Sequence, residues 1–188
     1  MVIAMKSLRK ILCPTDWSET SYVALSKAVE MADAAVTELC VIHVEPDDIE
    51  FSALPNLPPD TENATLRRVQ AVKNLCAVLE ERVPPYVRTR PILKQGDAAT
   101  QIVVTARQEG VDLIVLTTHG AGCSAEKTLG SVAETILRTA PCPVLTLNTT
   151  SQFCRNGAQN YSNKFAVTTL GSNIKLMHTH HKMHLNGD

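Results

Sequence analysis

Between Lys10 and Leu147 the chain alternates continuous apolar runs with stretches whose apolar residues recur every three or four positions. That alternation predicts strands separated by helices. Lys10-Ile-Leu-Cys13 is a short apolar run stopped by Pro14, suited to a buried strand. Asp16 and Ser18 then offer N-caps to a helix carrying Ala24, Leu25, Ala28, Val29 and Ala32. A second strand, Glu38 to Val44, ends at Glu45-Pro46. The loop that follows holds Pro46, Pro55, Pro58 and Pro59 and reads either as a surface connection or as a lid. Leu66, Val69, Val72, Cys76, Leu79 and Val83 draw the apolar stripe of a long helix, stopped by Pro84-Pro85.

The second half repeats the alternation. Tyr86 to Leu93 predicts a third strand, and Pro91 confines it to a sheet edge because proline cannot donate to a ladder. Gly96-Asp97 turns into a helix with Ile102, Val103 and Ala106, closed by Gly110 as a C-cap. Val111 to Thr117 is the strongest strand in the chain. Gly130-Ser131 opens a helix with Val132, Ile136 and Leu137, Pro141-Cys-Pro143 ends it, and Val144 to Leu147 supplies a fifth strand. Apolar strands alternating with helices predict an open five-stranded parallel sheet with helices on both faces.

Residues 6–148 hold nearly all of this periodicity and read as one domain. The tail, 149–188, is rich in Asn, Ser, Thr and His, with only a weak apolar stretch at Phe165 to Leu170, and is expected to be mostly flexible. Its segment His178 to His184 holds four histidines, a density that suits zinc, nickel or copper as well as an incidental tail. Charge divides along the same line: the domain carries an acidic excess and the tail a basic one, within a net charge of −1. That near-neutral balance argues against a general binder of nucleic acid or membrane surfaces. No apolar run approaches the length of a membrane helix, and the first residues lack the apolar core of a secretory signal. The six cysteines, Cys13, Cys40, Cys76, Cys123, Cys142 and Cys154, include no C-x-x-C pair; five lie among or beside apolar periodic segments and read as small hydrophobes, which fits a reducing, cytoplasmic compartment.

In an open parallel sheet, ligands bind beyond the carboxyl ends of the strands, near the switch in strand order. That rule selects the loops Pro14 to Ser18, Val44 to Pro46 and Thr117 to Ser131. In the last, Gly120, Gly122 and Gly130 admit close backbone approach, and Ser131 stands at a helix start whose N–H groups suit phosphate. The same glycines also serve as plain turn and cap residues. Neither G-x-x-x-x-G-K-[ST] nor a G-x-G-x-x-G after the first strand is present, so a P-loop and a dinucleotide fold are not supported.

Ile11-Leu-Cys-Pro-Thr-Asp-Trp-Ser-Glu19, Leu39 to Val44, Gly96-Asp97, Gly120-x9-Gly130-Ser131-Val-Ala-Glu and Ala140-Pro-Cys-Pro-Val-Leu145 together resemble the universal stress protein family. The resemblance implies an adenine-nucleotide α-hydrolase-like fold with strand order 3-2-1-4-5, and a homodimer paired through the last strand, here Val144 to Leu147. It also implies a stress-response sensor or regulator that binds ATP or another adenine nucleotide, with Mg possible, and that signals to a protein partner. Members that bind ATP carry G-x2-G-x9-G-[ST]. Gly120, Gly130 and Ser131 match this pattern, whereas Thr117 replaces its first glycine, putting a β-branched side chain where the position is usually bare. By the same resemblance Asp16 contacts the ribose side, Pro14 and Thr15 shape the pocket, and the Val44 backbone reads the adenine edge. Gly120, Gly130, Ser131 and Val132 hold phosphates through main-chain N–H groups, with His119 adjoining them. Glu126 brings a like charge to that loop and Lys127 offsets it. Thr117 keeps a rival reading open, a nucleotide-free dimeric scaffold. No nucleophile with a base and an orienting group is visible, so catalysis is expected to be absent or limited to slow ATP hydrolysis, with Asp16 and His119 as its candidates.

Overall fold

The run Ile11-Leu-Cys13 has no polar side chain to offer solvent, and in the computed structural model all three residues are fully buried in the central strand of a sheet. The structure describes residues 8–47, 61–118, 129–148 and 164–168. In chain order the elements are β1 (Lys10–Pro14), α1 (Glu19–Met31), β2 (Glu38–Glu45), α2 (Thr61–Arg82), β3 (Arg88–Gln95), α3 (Ala98–Glu109), β4 (Leu113–Thr117), α4 (Ser131–Thr139), β5 (Val144–Asn148) and β6 (Lys164–Thr168).

The sheet runs β3-β2-β1-β4-β5-β6. Its first five strands are parallel and in the expected order, with β3 and its Pro91 at the edge. A sixth strand departs from the expectation of five. Lys164–Thr168, inside the segment read as a mostly flexible tail, pairs antiparallel with β5, covering the strand edge expected to receive a second copy. The weak apolar stretch around Phe165 was its signal in the sequence.

Side chains alternate between the two sheet faces and build two core layers. On one face Ile11, Cys13, Leu39, Val41, Val115 and Leu145 pack against Ala24, Leu25 and Ala28 of α1 and Leu75 and Leu79 of α2. On the other, Leu12, Cys40, Ile42, Ile114 and Leu116 pack against Ile102, Val103 and Ala106 of α3 and Ala133 and Ile136 of α4. Each fully buried branched side chain contributes about 1.5–3 kcal/mol relative to exposure.

Local signals end the helices where expected. Asp97 caps α3 by accepting from the Thr100 N–H, and Gly110 closes it in the left-handed conformation at φ 62°, ψ 47°. The stripe expected for α2 holds at Leu79 and Val83 and fails toward the start of the helix. Leu66, Val69 and Val72 are exposed, while Ala71, Leu75, Leu79 and Val83 face the core. The helix carries two apolar rows, and the row with four-residue spacing is the one the sheet covers.

Candidate functional site

Strands β1 and β4 lie side by side, yet the chain runs from β1 to β2 and β3 on one side and then crosses to β4 and β5 on the other, making this the switch point of the sheet. At the carboxyl end of β1 the loop Thr15 to Ser18 is held by hydrogen bonds at every residue. The Thr15 N–H donates to the Ile42 carbonyl at 2.9 Å, joining the loop to β2. The buried Ser21 Oγ donates to the Ser18 carbonyl at 2.8 Å. Its single proton being used there, the Thr15 hydroxyl donates to Ser21 Oγ at 3.1 Å and accepts from the Trp17 N–H at 3.2 Å.

Trp17 adopts φ 66°, a left-handed conformation that a bulky residue enters only when its surroundings hold it there. Its indole N–H donates to His43 Nε2 at 3.1 Å, and His43 Nδ1 donates to the Thr15 carbonyl at 2.8 Å. A carbonyl accepts only and an indole donates only, so His43 is the neutral imidazole protonated on Nδ1. The two rings lie 4.2 Å apart at their centroids. This Thr15–Trp17–His43 constellation was not assembled from the sequence, which sets Trp17 in the loop after the first strand and His43 within the second.

Asp16 stands exposed between these anchors. Its Oδ1 accepts from the Ser18 N–H at 3.1 Å and from the Ser18 hydroxyl. Of the two expected caps it is Ser18 that caps α1, accepting from the Ser21 N–H at 3.1 Å. Asp16 therefore presents a carboxylate on the solvent side of the loop while bracing the cap residue. Pro14 ends β1, and beneath it burial pushes the Cys13 thiol up to about 12, which leaves it inert.

Val44 lies near the end of β2, half-buried and packed on the α3 side of the sheet. Thr117 ends β4 with its side chain buried, paired in register with Leu147. Past it, the Thr118 N–H donates to the Leu147 carbonyl at 3.0 Å, and the Thr118 carbonyl accepts from the Gly130 N–H at 2.7 Å. That bond seats the start of α4 at the carboxyl end of β4. Gly130 is the N-cap of α4, and among the described residues no side chain caps the helix. Ser131 and Val132 are exposed in its first turn. The acid of that turn, Glu134, is paired with Arg138 at 2.9 Å. His119 and Gly120 lie outside the described residues, as do Gly122, Glu126, Lys127, Pro55, Pro58, Pro59 and the histidine segment of the tail.

The structure thus brings Pro14, Thr15, Asp16, Val44, Thr117, Gly130, Ser131 and Val132 to the carboxyl end of the sheet. The model of the universal stress protein family matches residues 7–148. The chain belongs to that family. It is 30% identical over 143 residues to universal stress protein MJ0531 of Methanocaldococcus jannaschii, covering 73% of this chain and 80% of the relative. To universal stress protein YxiE of Bacillus subtilis it is 28% identical over 142 residues, covering 72% of this chain and 96% of the relative. The solved structure of protein MJ0577, also from M. jannaschii, superposes with a TM-score of 0.64 at 28% identity, covering 78% of this chain and all of that one. A universal stress protein solved in complex with cAMP shares the fold with a TM-score of 0.53 at 19% identity, covering 77% of this chain and 100% of that one. The chain has the adenine-nucleotide α-hydrolase-like fold of this family. No helix among the described residues is long and apolar enough to cross a membrane.

Proposed function

We propose that this universal stress protein binds an adenine nucleotide such as ATP at the carboxyl ends of β1, β2 and β4, and acts as a sensor or regulator in the cytoplasmic stress response. The observation that carries the reading is the start of α4. A helix N-terminus whose N-cap is a glycine, with no side-chain cap of its own, is tied by the Gly130–Thr118 bond to the end of β4, next to the strand whose loop holds Asp16. Backbone N–H groups and the positive helix end favour phosphate there, with Gly130, Ser131 and Val132 as the holders. Asp16 takes the ribose hydroxyls, Pro14 and Thr15 form the wall, and the Val44 backbone reads the adenine edge. Binding of cAMP by a solved protein of the same fold supports an adenine ligand.

The buried side chain of Thr117 bears on the motif position where glycine is usual. Packed in the sheet rather than standing in the loop, it leaves the approach to Gly130 to the backbone. Its departure from glycine is the observation that favours the rival reading, a scaffold without nucleotide. Mg would accompany a bound triphosphate as its counter-charge. Signalling follows if bound and free states differ in the loops after β1 and β4 and a protein partner reads that difference.

Calorimetric titration of the full chain with Mg-ATP, AMP and cAMP tests the reading, with Gly130→Asp as the control that places a carboxylate in the cradle. Binding by the wild type that is lost in the folded variant supports the sensor. Absence of binding to all three nucleotides by folded protein leaves the scaffold.

A further inference from the structure

The five parallel strands have two edges, and this chain protects them differently. At β3, Pro91 removes one N–H while Arg88, Arg90 and Lys94 place charge along the strand. Proline and charge are the devices that keep an edge from pairing with another chain. Strand β5, Val-Leu-Thr-Leu-Asn, has neither. A row of unpaired N–H and C=O groups on so apolar a strand is a template for pairing.

Strand β6 occupies that template. All five residues of β5 are in register with it, from Val144 opposite Thr168 to Asn148 opposite Lys164. Every other neighbouring pair in the sheet is parallel, and this one alone is antiparallel. Antiparallel is also the relation that a two-fold axis imposes on two copies of one strand laid edge to edge. Strand β6 therefore fills, from its own chain, the place that β5 of a second copy would take. Its hold is slight, with five residues, no strand on its far side among those described, and residues 149–163 separating it from β5 in the chain.

We propose that β6 is a displaceable edge guard: paired in cis it keeps the protein monomeric, and when it lifts, a second copy of this chain pairs β5 to β5 across a two-fold axis. The inference is independent of nucleotide binding, because it concerns the sheet edge and not the carboxyl ends of the strands.

Sedimentation velocity across a concentration series, on the full chain and on the full-length double variant Ala166→Pro/Val167→Pro, tests it. Successive N–H groups of a strand face opposite edges, so two adjacent prolines must delete one donor facing β5. The wild type is expected to sediment as a monomer over the lower part of the series and to self-associate only at its top, and the variant to self-associate at least about tenfold more tightly. Hydrogen exchange supplies the second readout. In the variant, the Val144 and Thr146 amides, which face β6 because the intervening residues bond β4, should lose protection when dilute and regain it as the dimer forms. Equal association constants for the two proteins would overturn the proposal, as would a variant dimer in which the β5 amides stay unprotected. Should the variant not fold, exchange in the wild type decides: raising its concentration should expose β6 amides while β5 stays protected, and parallel behaviour of the two strands would overturn the idea.

Discussion

Trp17 and His43, 26 residues apart in the chain, are joined by an indole N–H to imidazole hydrogen bond of 3.1 Å at the end of β1. The bond does two things for the loop between them. It offsets the cost of holding Trp17 at φ 66°, on the order of 1–2 kcal/mol for an L-residue, and it fixes the backbone that displays Asp16. Replacing the ring by His43→Ala removes an acceptor for the indole and a donor to the Thr15 carbonyl. The expected cost is about 1–3 kcal/mol, read from the urea midpoint. Trp17 is also the chain's one tryptophan, so its fluorescence reports on this loop alone. Emission should shift on adding Mg-ATP to the wild type; an unchanged spectrum at saturating nucleotide would separate this loop from the binding site.

Ser18 and Asp16 divide the labour at the start of α1. The Ser18 hydroxyl caps the helix and simultaneously donates to Asp16, so Ser18→Ala should cost about 1 kcal/mol in thermal or urea unfolding. Asp16→Asn keeps an oxygen acceptor for the Ser18 N–H and should cost less stability than the cap variant. Its larger effect should fall on nucleotide affinity, since the amide changes the charge shown to the ribose. Calorimetry and unfolding on the same two variants check the division, and an Asp16→Asn protein with wild-type affinity would remove Asp16 from the site.

What could be read in advance followed the range of the forces involved. Ile11 to Cys13, Leu39 to Ile42 and Leu113 to Leu116 declare themselves because strands buried on both faces must be apolar at every position. Gly110 was legible as a helix end because its left-handed conformation is a local demand. The face of α2 was legible only at Leu79 and Val83; earlier in the helix Leu66, Val69 and Val72 satisfy helical spacing as well as Ala71 and Leu75 do, and only the position of the sheet chooses between them. Strand β6 was missed for a related reason: its stability comes from the edge of β5, a contact distant in sequence. In the candidate site, Gly130 and Ser131 came from motif spacing and Asp16 from the family resemblance. The partnership of Trp17 with His43 depends on two strands lying in register, which no local pattern records.

Two cysteines should resist modification although both are free thiols. Burial pushes Cys13 up to about 12; Cys142 rises to about 11, mainly through burial and then through the charge of Asp112. The thiolate is the reactive form, so at pH 8 less than about one part in a hundred of either is nucleophilic. Alkylation of native protein followed by peptide mass spectrometry should leave Cys13 unmodified and Cys142 slow, and denaturant should make both react rapidly. Fast labelling of Cys13 under native conditions would show that the β1 core opens far more readily than its complete burial implies.

At the opposite end of the sheet, Glu109 at the end of α3 ties three strands together. Arg90 of β3 donates to both its carboxylate oxygens, and Lys10 of β1 reaches it at 3.2 Å while also lying 3.7 Å from Glu38 of β2. The bonds from Arg90, then those from Lys10, lower the Glu109 carboxyl to about 2. A carboxylate whose folded value lies below its unfolded one, near ~4.3, adds stability that is complete above the unfolded value. That stability is lost as pH falls from there toward the folded value. Glu109→Gln should therefore cost about 1 kcal/mol near neutral pH, because the site is partly open to solvent. The gap between wild type and variant should narrow progressively as the medium is acidified below the unfolded carboxyl value. Urea unfolding of both proteins over a pH series checks the sign: a gap that stays constant into the acid range would mean that the stabilisation does not come from the charge of Glu109, and a gap that widens would reverse its direction.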